Sequence, residues 1–221
     1  MIDKIKIIEA YNFRHACKVF DTNKKISDAD FSFILETARL SPSSFGFEPW
    51  KFLVVQNKDL RDKLKLITWG AQGTLPTASH FVVILARKQK AMKYDSQYIK
   101  HMMEDVHRLT DDVIQKRRGF VKTFQESDFN LIESERAMFD WASKQTYIAL
   151  ANMMTSAAMI NIDSCPIEGY KAKEMEKLMT DDFGIDHTEY GVTCMVAFGY
   201  RIDKQRNKTR QDTDEIIQWF N

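Results

Sequence analysis

The chain is short of the features that mark most specialised protein classes. It has three cysteines, Cys17, Cys165 and Cys194, far apart and without a C-x-x-C pair. An odd count with no framework argues against a disulfide scaffold or a zinc knuckle and predicts reduced thiols in a cytoplasmic protein. Charge of one sign is lacking too: 32 Lys+Arg stand against 31 Asp+Glu. That balance gives no support to a nucleic-acid or acidic-lipid surface, so any anion site must be local. No apolar run approaches the ~18 residues of a membrane span, and Met1–Lys6 has no apolar signal core. The phosphate-binding glycine patterns G-x-G-x-x-G and G-x-x-x-x-G-K-[ST] are absent, as is H-E-x-x-H. No repeat, low-complexity tract or composition break divides residues 1–221, which predicts a single domain.

Glycine and proline are sparse, with 8 and 4 in 221 residues, so a stretch that spends both is a signal. Cys165-Pro166-Ile167-Glu168-Gly169-Tyr170 is such a stretch. It reads as a turn between two helices that exposes backbone N–H groups to a ligand. The chain is rich in soft and aromatic residues, 11 Met and 15 Phe. Their bland role is adaptable packing; a sharper one is contact with a flat aromatic ligand.

Periodicity predicts helices over residues 5–13, over 28–40 behind a Ser27 N-cap, over 58–67, over 134–160, over 171–179 and over 212–220. The 134–160 helix is apolar nearly all round and is therefore expected in a core or a subunit interface. Trp50–Val55, Phe81–Ala86 and Val192–Tyr200 read as strands buried on both faces. Residues 94–118 form a charged helical region. His101 and Asp105 lie four residues apart there, so a metal site with His107 is conceivable, but a solvated helix face explains them better. Gly119–Asn130, with Phe120, Phe124 and Phe129, reads as an irregular cover or a packed connector.

The candidate site residues fall in separated stretches. Arg14, His15, Ala16 and Lys18 form a basic segment, and Lys208 and Arg210 form another. A guanidinium offers bidentate recognition of a phosphate; an ammonium is a movable point charge. Pro42, Ser43 and Ser44 form a hydroxyl-rich loop, and Gln72 lies in a polar loop where its amide can donate and accept. Taken singly, the basic segment reads slightly better as a solvated basic loop and the serine loop equally as an ordinary turn; together they suit a phosphorylated planar heterocycle, with a flavin or nucleotide enzyme as one option among several.

Their order is specific. Arg14-His15-x-x-Lys18-x-Phe20-Asp21 comes first, then Ser41-Pro42-Ser43-Ser44 with Pro49-Trp50-x-Phe52. Ala78-Ser79-His80, Pro166-Ile167-Glu168-Gly169-Tyr170 and Lys208-x-Arg210 follow. This series, from about residue 10 to 210, resembles the FMN-dependent NAD(P)H nitroreductase family, most of all its oxygen-insensitive nitroreductase and flavin-reductase branch. The resemblance departs at Ala16, Ala71 and Thr74, where relatives often carry Ser, Asn, and Lys or Gln.

The resemblance implies an α+β fold with a mixed central sheet wrapped by helices, and a homodimer whose C-terminal tail is exchanged onto the partner. It implies tightly bound FMN, with NAD(P)H as co-substrate. Arg14, Lys208 and Arg210 would hold the phosphate, and Lys18 would lie near the pyrimidine end and the nicotinamide. Pro42, Ser43 and Ser44 would reach in from the partner subunit. The backbone around Pro166, Ile167, Glu168 and Gly169 would meet flavin N5 and O4, and Phe124 would stack on nicotinamide or substrate. The implied activity is ping-pong, two-electron hydride transfer through FMN N5 to nitroaromatics, quinones or flavins. No protein acid, base or metal is called for. The alternative is a flavin-binding module without turnover.

Overall fold

The computed structural model describes residues 3–221. Its centre is a four-stranded sheet in the order β1-β2-β4-β3, formed by β1 (Trp50–Val54), β2 (His80–Arg87), β3 (Asp163–Ile167) and β4 (Tyr190–Gly199). All three pairings are antiparallel. The parallel component of the expected mixed sheet is an isolated bridge between Ala16 and Ser164.

Alternation along β2 and β4 builds a core on each face. Phe81, Val83, Leu85, Met195 and Ala197 face one way, with α3 (Lys58–Ile67) and α9 (Ala172–Asp181) over them. Val82, Ile84, Cys194, Val196 and Phe198 face the other, under α2 (Asp28–Arg39) and α8 (Glu135–Met159). Between Ile84 and Leu85 the register shifts, so Thr193 bulges out of the ladder and its hydroxyl donates to Ile84 O at 3.1 Å. A third core lies under the segment between β2 and α8. That segment contains α5 (Gln89–Met92), α6 (Gln97–His101) and α7 (Asp111–Thr123). The chain begins with α1 (Lys4–Phe13), carries α4 (Thr74–Thr77) in the loop before β2, and ends beyond α10 (Thr213–Ile216).

Helix starts follow their sequence signals. Ser27 caps α2 by accepting from the Asp30 N–H, and Ser134 caps α8 by accepting from the Ala137 N–H. Phe31, Ile34 and Ala38, spaced as one helix face, are all buried.

Several expectations need correction. Β1 is an edge strand with Val54 exposed, not a strand buried on both faces. Asp163–Ile167 is a fourth strand, so Cys165, Pro166 and Ile167 are not part of a turn; the turn begins at Glu168. Proline is tolerated there because β3 is also an edge, where one side of the backbone needs no donor. Residues 119–123 continue α7, and 124–128 form a wider π turn closed by Phe129 N–H to Phe124 O at 3.1 Å, so this region is helical. The C-terminal helix is a single turn, and Ile217–Phe220 lie beyond it.

Candidate functional site

The outer edge of β3 is where the basic segments meet. The Cys17 N–H donates to Ser164 O at 3.1 Å, which lays residues 16–18 along the strand. Chain continuing from β4 returns to the same place. Arg201 fixes this junction: its Nε and guanidinium NH2 reach the buried Asp163 carboxylate at 2.8 and 2.6 Å, and its N–H meets the other oxygen at 2.9 Å. A further NH2 bond to Phe13 O at 2.9 Å ties in the end of α1.

The result is an open cavity of about 760 Å³, lined by Arg14, His15, Ala16, Lys18, Lys208 and Arg210 together with Arg201, Arg206 and neighbouring polar residues. Six of the expected residues, from two ends of the chain, therefore share one site. Among the described residues, Asp163 is the carboxylate bonded at this junction, and it is engaged by Arg201. No ion pair joins Arg14, Lys18, Lys208 or Arg210 to a carboxylate among the described residues. Lys208 Nζ instead donates to the Arg14 carbonyl. Partial burial, then repulsion from Arg14 and Arg210, hold the Lys208 pKa below the ordinary lysine value.

His15 is locked by its surroundings. Its Nδ1 lies 3.2 Å from Phe13 O and 3.9 Å from Asp163 Oδ1, while its buried Nε2 has no partner. Burial is the main reason its pKa lies below the ordinary histidine value. Lys18 Nζ reaches Cys165 Sγ at 3.5 Å and so points from the cavity toward β3. Burial raises the Cys165 thiol pKa against the pull of that ammonium.

The turn after β3 is packed by glycines. The Gly70 N–H donates to Gly169 O at 2.8 Å, and a Cβ on Gly70 would lie 3.1 Å from Gly169 Cα. A Cβ on Gly73 would fall 2.6 Å from Lys18 O. The 69–73 loop is thus wedged between the basic segment and the 168–170 turn. Gly169 is buried, and its N–H makes no turn or loop bond to backbone among the described residues. The Glu168 side chain accepts from Tyr147 Oη on α8 at 2.5 Å. Ile167 itself is buried in the core with its side chain turned from the edge, and Pro166 is half-buried.

Other expected residues are elsewhere. Gln72 turns its Nε2 onto Lys65 O and Thr68 O at 2.7 and 2.9 Å, so its amide donors satisfy carbonyls at the end of α3, and it does not line the cavity. Ser43, Ser44 and Phe124 do not line the cavity. They adjoin one another through Phe45, whose ring packs edge-on to Phe124 with centroids 5.1 Å apart. Pro42 precedes them in the same loop, exposed. His101 and Asp105 form an exposed pair at 2.8 Å, and no cluster of metal-ligand type occurs among the described residues.

Asp163, Arg201 and Tyr147 were not singled out in the sequence. An acid set among Ile160, Ile162, Cys165 and Ile167 is the signal that could have found Asp163, because a buried acid needs a partner.

Fold and site together define an α+β protein with an unneutralised cationic cavity at a sheet edge, suited to a phosphorylated ligand. Comparison with known proteins gives the particular family. The model of the nitroreductase family matches residues 11–200. A Bacillus subtilis protein provisionally named NAD(P)H nitroreductase YfkO is 53% identical over 216 residues, covering 98% of each chain. A Staphylococcus saprophyticus protein with the same provisional activity name is 52% identical over 214 residues, 97% of this chain and 96% of its own. The chain belongs to the nitroreductase family. Among solved structures, a Bacillus subtilis nitroreductase-named protein, ydfN, superposes with TM-score 0.80 at 20% identity over 99% of this chain and 100% of its own. A protein of that provisional name from Exiguobacterium sibiricum, solved in complex with FMN, gives TM-score 0.74 at 22% identity, covering 99% and 98%. These two share the fold. No helix among the described residues is long and apolar enough to cross a membrane.

Proposed function

We propose that the chain, acting as a single domain over 1–221, is an FMN-dependent NAD(P)H oxidoreductase that reduces nitroaromatics, quinones or flavins. The observation that carries this reading is the gathering of Arg14, Lys18, Lys208 and Arg210 around one cavity without a bonded carboxylate among the described residues. Partial burial, and after it repulsion from Arg14 and Arg210, lowers the Lys208 pKa, and a phosphate dianion relieves the repulsive part. Two further features fit the group. The buried, partnerless His15 Nε2 offers a polar contact, and the buried Gly169 N–H offers a donor.

Bound FMN would supply the redox chemistry, accepting a hydride from NAD(P)H and passing two electrons to an acceptor. The chain's part is to bind and orient. Arg14, Lys208 and Arg210 hold the phosphate. Lys18 supplies a positive charge between the cavity and β3. Glu168 and Gly169 contribute backbone N–H groups at the turn, and Tyr147 holds the Glu168 side chain aside.

A homodimer completes the site in this reading. Ser43, Ser44 and Phe124 lie away from the cavity within one protomer, which is the arrangement expected if Pro42, Ser43, Ser44 and Phe124 serve the partner's ligand. Exposed Tyr147 and Ile148 on α8, and Ile216, Ile217, Trp219 and Phe220 in the tail, are apolar surfaces such an exchange would bury. The three free, buried cysteines suit a cytoplasmic protein.

Protein purified without added flavin should be yellow, release FMN on denaturation, and oxidise NAD(P)H with menadione or a nitroaromatic. Colourless protein with no FMN affinity would sink the reading. FMN binding without NAD(P)H oxidation by any acceptor would leave a flavin-binding module.

A further inference from the structure

The loop between α2 and β1 has a shape that it would not hold by itself. Phe45, Gly46 and Glu48 have φ of 57°, 69° and 45°. For Phe45 and Glu48, which carry a Cβ, this left-handed conformation is disfavoured. Four successive carbonyls of the loop are nevertheless each met by a side-chain donor. Arg117 donates to Phe45 O. His107 Nε2 lies 2.9 Å from Gly46 O. Tyr98 Oη lies 2.7 Å from Phe47 O and 2.9 Å from Glu48 O, sharing its one proton between them.

All three donors come from the segment between β2 and α8, and Tyr98 and His107 are themselves held. The Arg87 guanidinium covers the Tyr98 ring at 3.6 Å from its centroid. His107 closes a π turn, its N–H meeting Met102 O at 2.8 Å, and it stands so close to Gly46 that a Cβ there would lie 3.2 Å from Nε2. Arg117 projects from α7, whose C-terminal end carries the second π turn and Phe124. On the loop's other side, the Glu48 N–H donates to Ser43 Oγ and the Ser44 N–H to Gln145 Oε1, both at 2.9 Å.

A loop that only joined a helix to a strand would relax to ordinary φ values. Strain that three outside side chains maintain points to a shape the protein uses. We propose that Tyr98, His107 and Arg117 are positioning residues: a clamp that presents Ser43, Ser44, Phe45 and Phe124 as one rigid half of the flavin site. This rests on the function proposed above, and it assigns the segment between β2 and α8 a task beyond packing. The clamp acts through backbone carbonyls, so its loss loosens ligand contacts that none of the three residues makes.

The test is FMN titration of apoprotein by fluorescence quenching, with amide hydrogen exchange read over residues 44–48. Tyr98→Phe should raise the FMN dissociation constant about two- to tenfold, the worth of one neutral hydrogen bond, and speed exchange at 44–48. Glu48→Gly should restore affinity in the Tyr98→Phe background, because glycine adopts positive φ without a clamp. Arg117→Gln should repeat the loss independently, in case Tyr98→Phe folds poorly. Unchanged FMN affinity in Tyr98→Phe and Arg117→Gln despite faster exchange would make the clamp merely structural and overturn the proposal, as would failure of Glu48→Gly to rescue. Wild-type protein that binds no FMN would instead remove the functional reading, and this proposal with it.

Discussion

Replacing Lys208 with alanine tests the phosphate assignment through affinity and through pH. The Lys208 ammonium faces Arg14 and Arg210 across one cavity, and burial together with those two charges lowers its pKa. A phosphate dianion among the three reverses that repulsion, so bound ligand raises the pKa again. The sign follows. The protonated ammonium is the binding form, so its share of affinity is complete below its free-protein pKa and is lost as pH rises through it. Because that pKa is depressed, the loss begins at a lower pH than for an ordinary lysine. At the acid end the phosphate of the ligand loses its second charge near pH ~6. Affinity is therefore greatest between these limits. A charge-assisted contact contributes roughly 1.5–3 kcal/mol, and the lower part of that range applies because the cavity is open and solvent screens it. Lys208→Ala should thus raise the FMN dissociation constant about tenfold at pH 7.5. Fluorescence titration of apoprotein through neutral and alkaline pH reads both effects: the variant should bind more weakly and lose the part of the alkaline fall due to Lys208, whereas Arg210→Ala should weaken binding and move that fall to higher pH, since it removes one of the charges that lower the Lys208 pKa. A dissociation constant within twofold of wild type, or an unchanged alkaline limb, would refute the assignment.

Two other outcomes follow from packing. Gly199→Ala places a Cβ 2.7 Å from the ring of the fully buried Phe20; overpacking of this kind costs about 1–3 kcal/mol, so calorimetry should show Tm lowered by roughly 2–4 °C per kcal/mol, and an unaltered Tm would mean the ring yields freely. Cys17, Cys165 and Cys194 are all buried, and burial pushes the Cys17 and Cys194 pKa values up to about 11 and about 12; native protein at pH 8 should give no prompt reaction with a thiol reagent such as dithionitrobenzoate, against three thiols in denaturant, and a fast native thiol would contradict this packing.

What could be read from the sequence was whatever obeys a local rule. The α2 face Phe31, Ile34 and Ala38 repeats at helical spacing behind a capping serine, and the run Phe81–Ala86 is apolar on both sides of a strand that is covered on both sides. Β1 carries the same kind of run, yet Val54 is exposed, because sequence does not say which strands lie at an edge. The π turns at Met102–Val106 and Phe124–Asp128 have no residue period of their own and were invisible. Arg14, Lys18, Lys208 and Arg210, which line one cavity, were picked out by their place in the family order, because their local spacing fits a solvated basic loop equally well. That Gln72 Nε2 binds carbonyls at the end of α3 was not legible, because those carbonyls become its neighbours only after folding. Asp163 and Arg201, which join the two ends of the site, are 38 residues apart and pair only in three dimensions.

Pro166 shows how the strand reading strengthens the site. Ser164 turns its carbonyl to the outer edge of β3, where the Cys17 N–H meets it at 3.1 Å. Pro166, two residues on, has the same orientation, since backbone direction repeats every second residue. Its missing N–H is therefore on the outer side, where no ladder bond to β4 is lost. Residues 16–18 accompany the edge only at Ser164, and proline prevents any further strand from continuing the ladder past it. The Ile167 N–H faces β4, and the donors that follow it are those of Glu168 and Gly169, just where the strand ends and the glycine-packed turn begins. In the proposed flavin site, an edge that refuses a strand is followed by the Glu168 and Gly169 N–H groups, which make no turn or loop bond to backbone among the described residues, with Lys18 alongside. A turn alone can move; this one is anchored by β3 on one side and by the Gly70–Gly169 bond on the other.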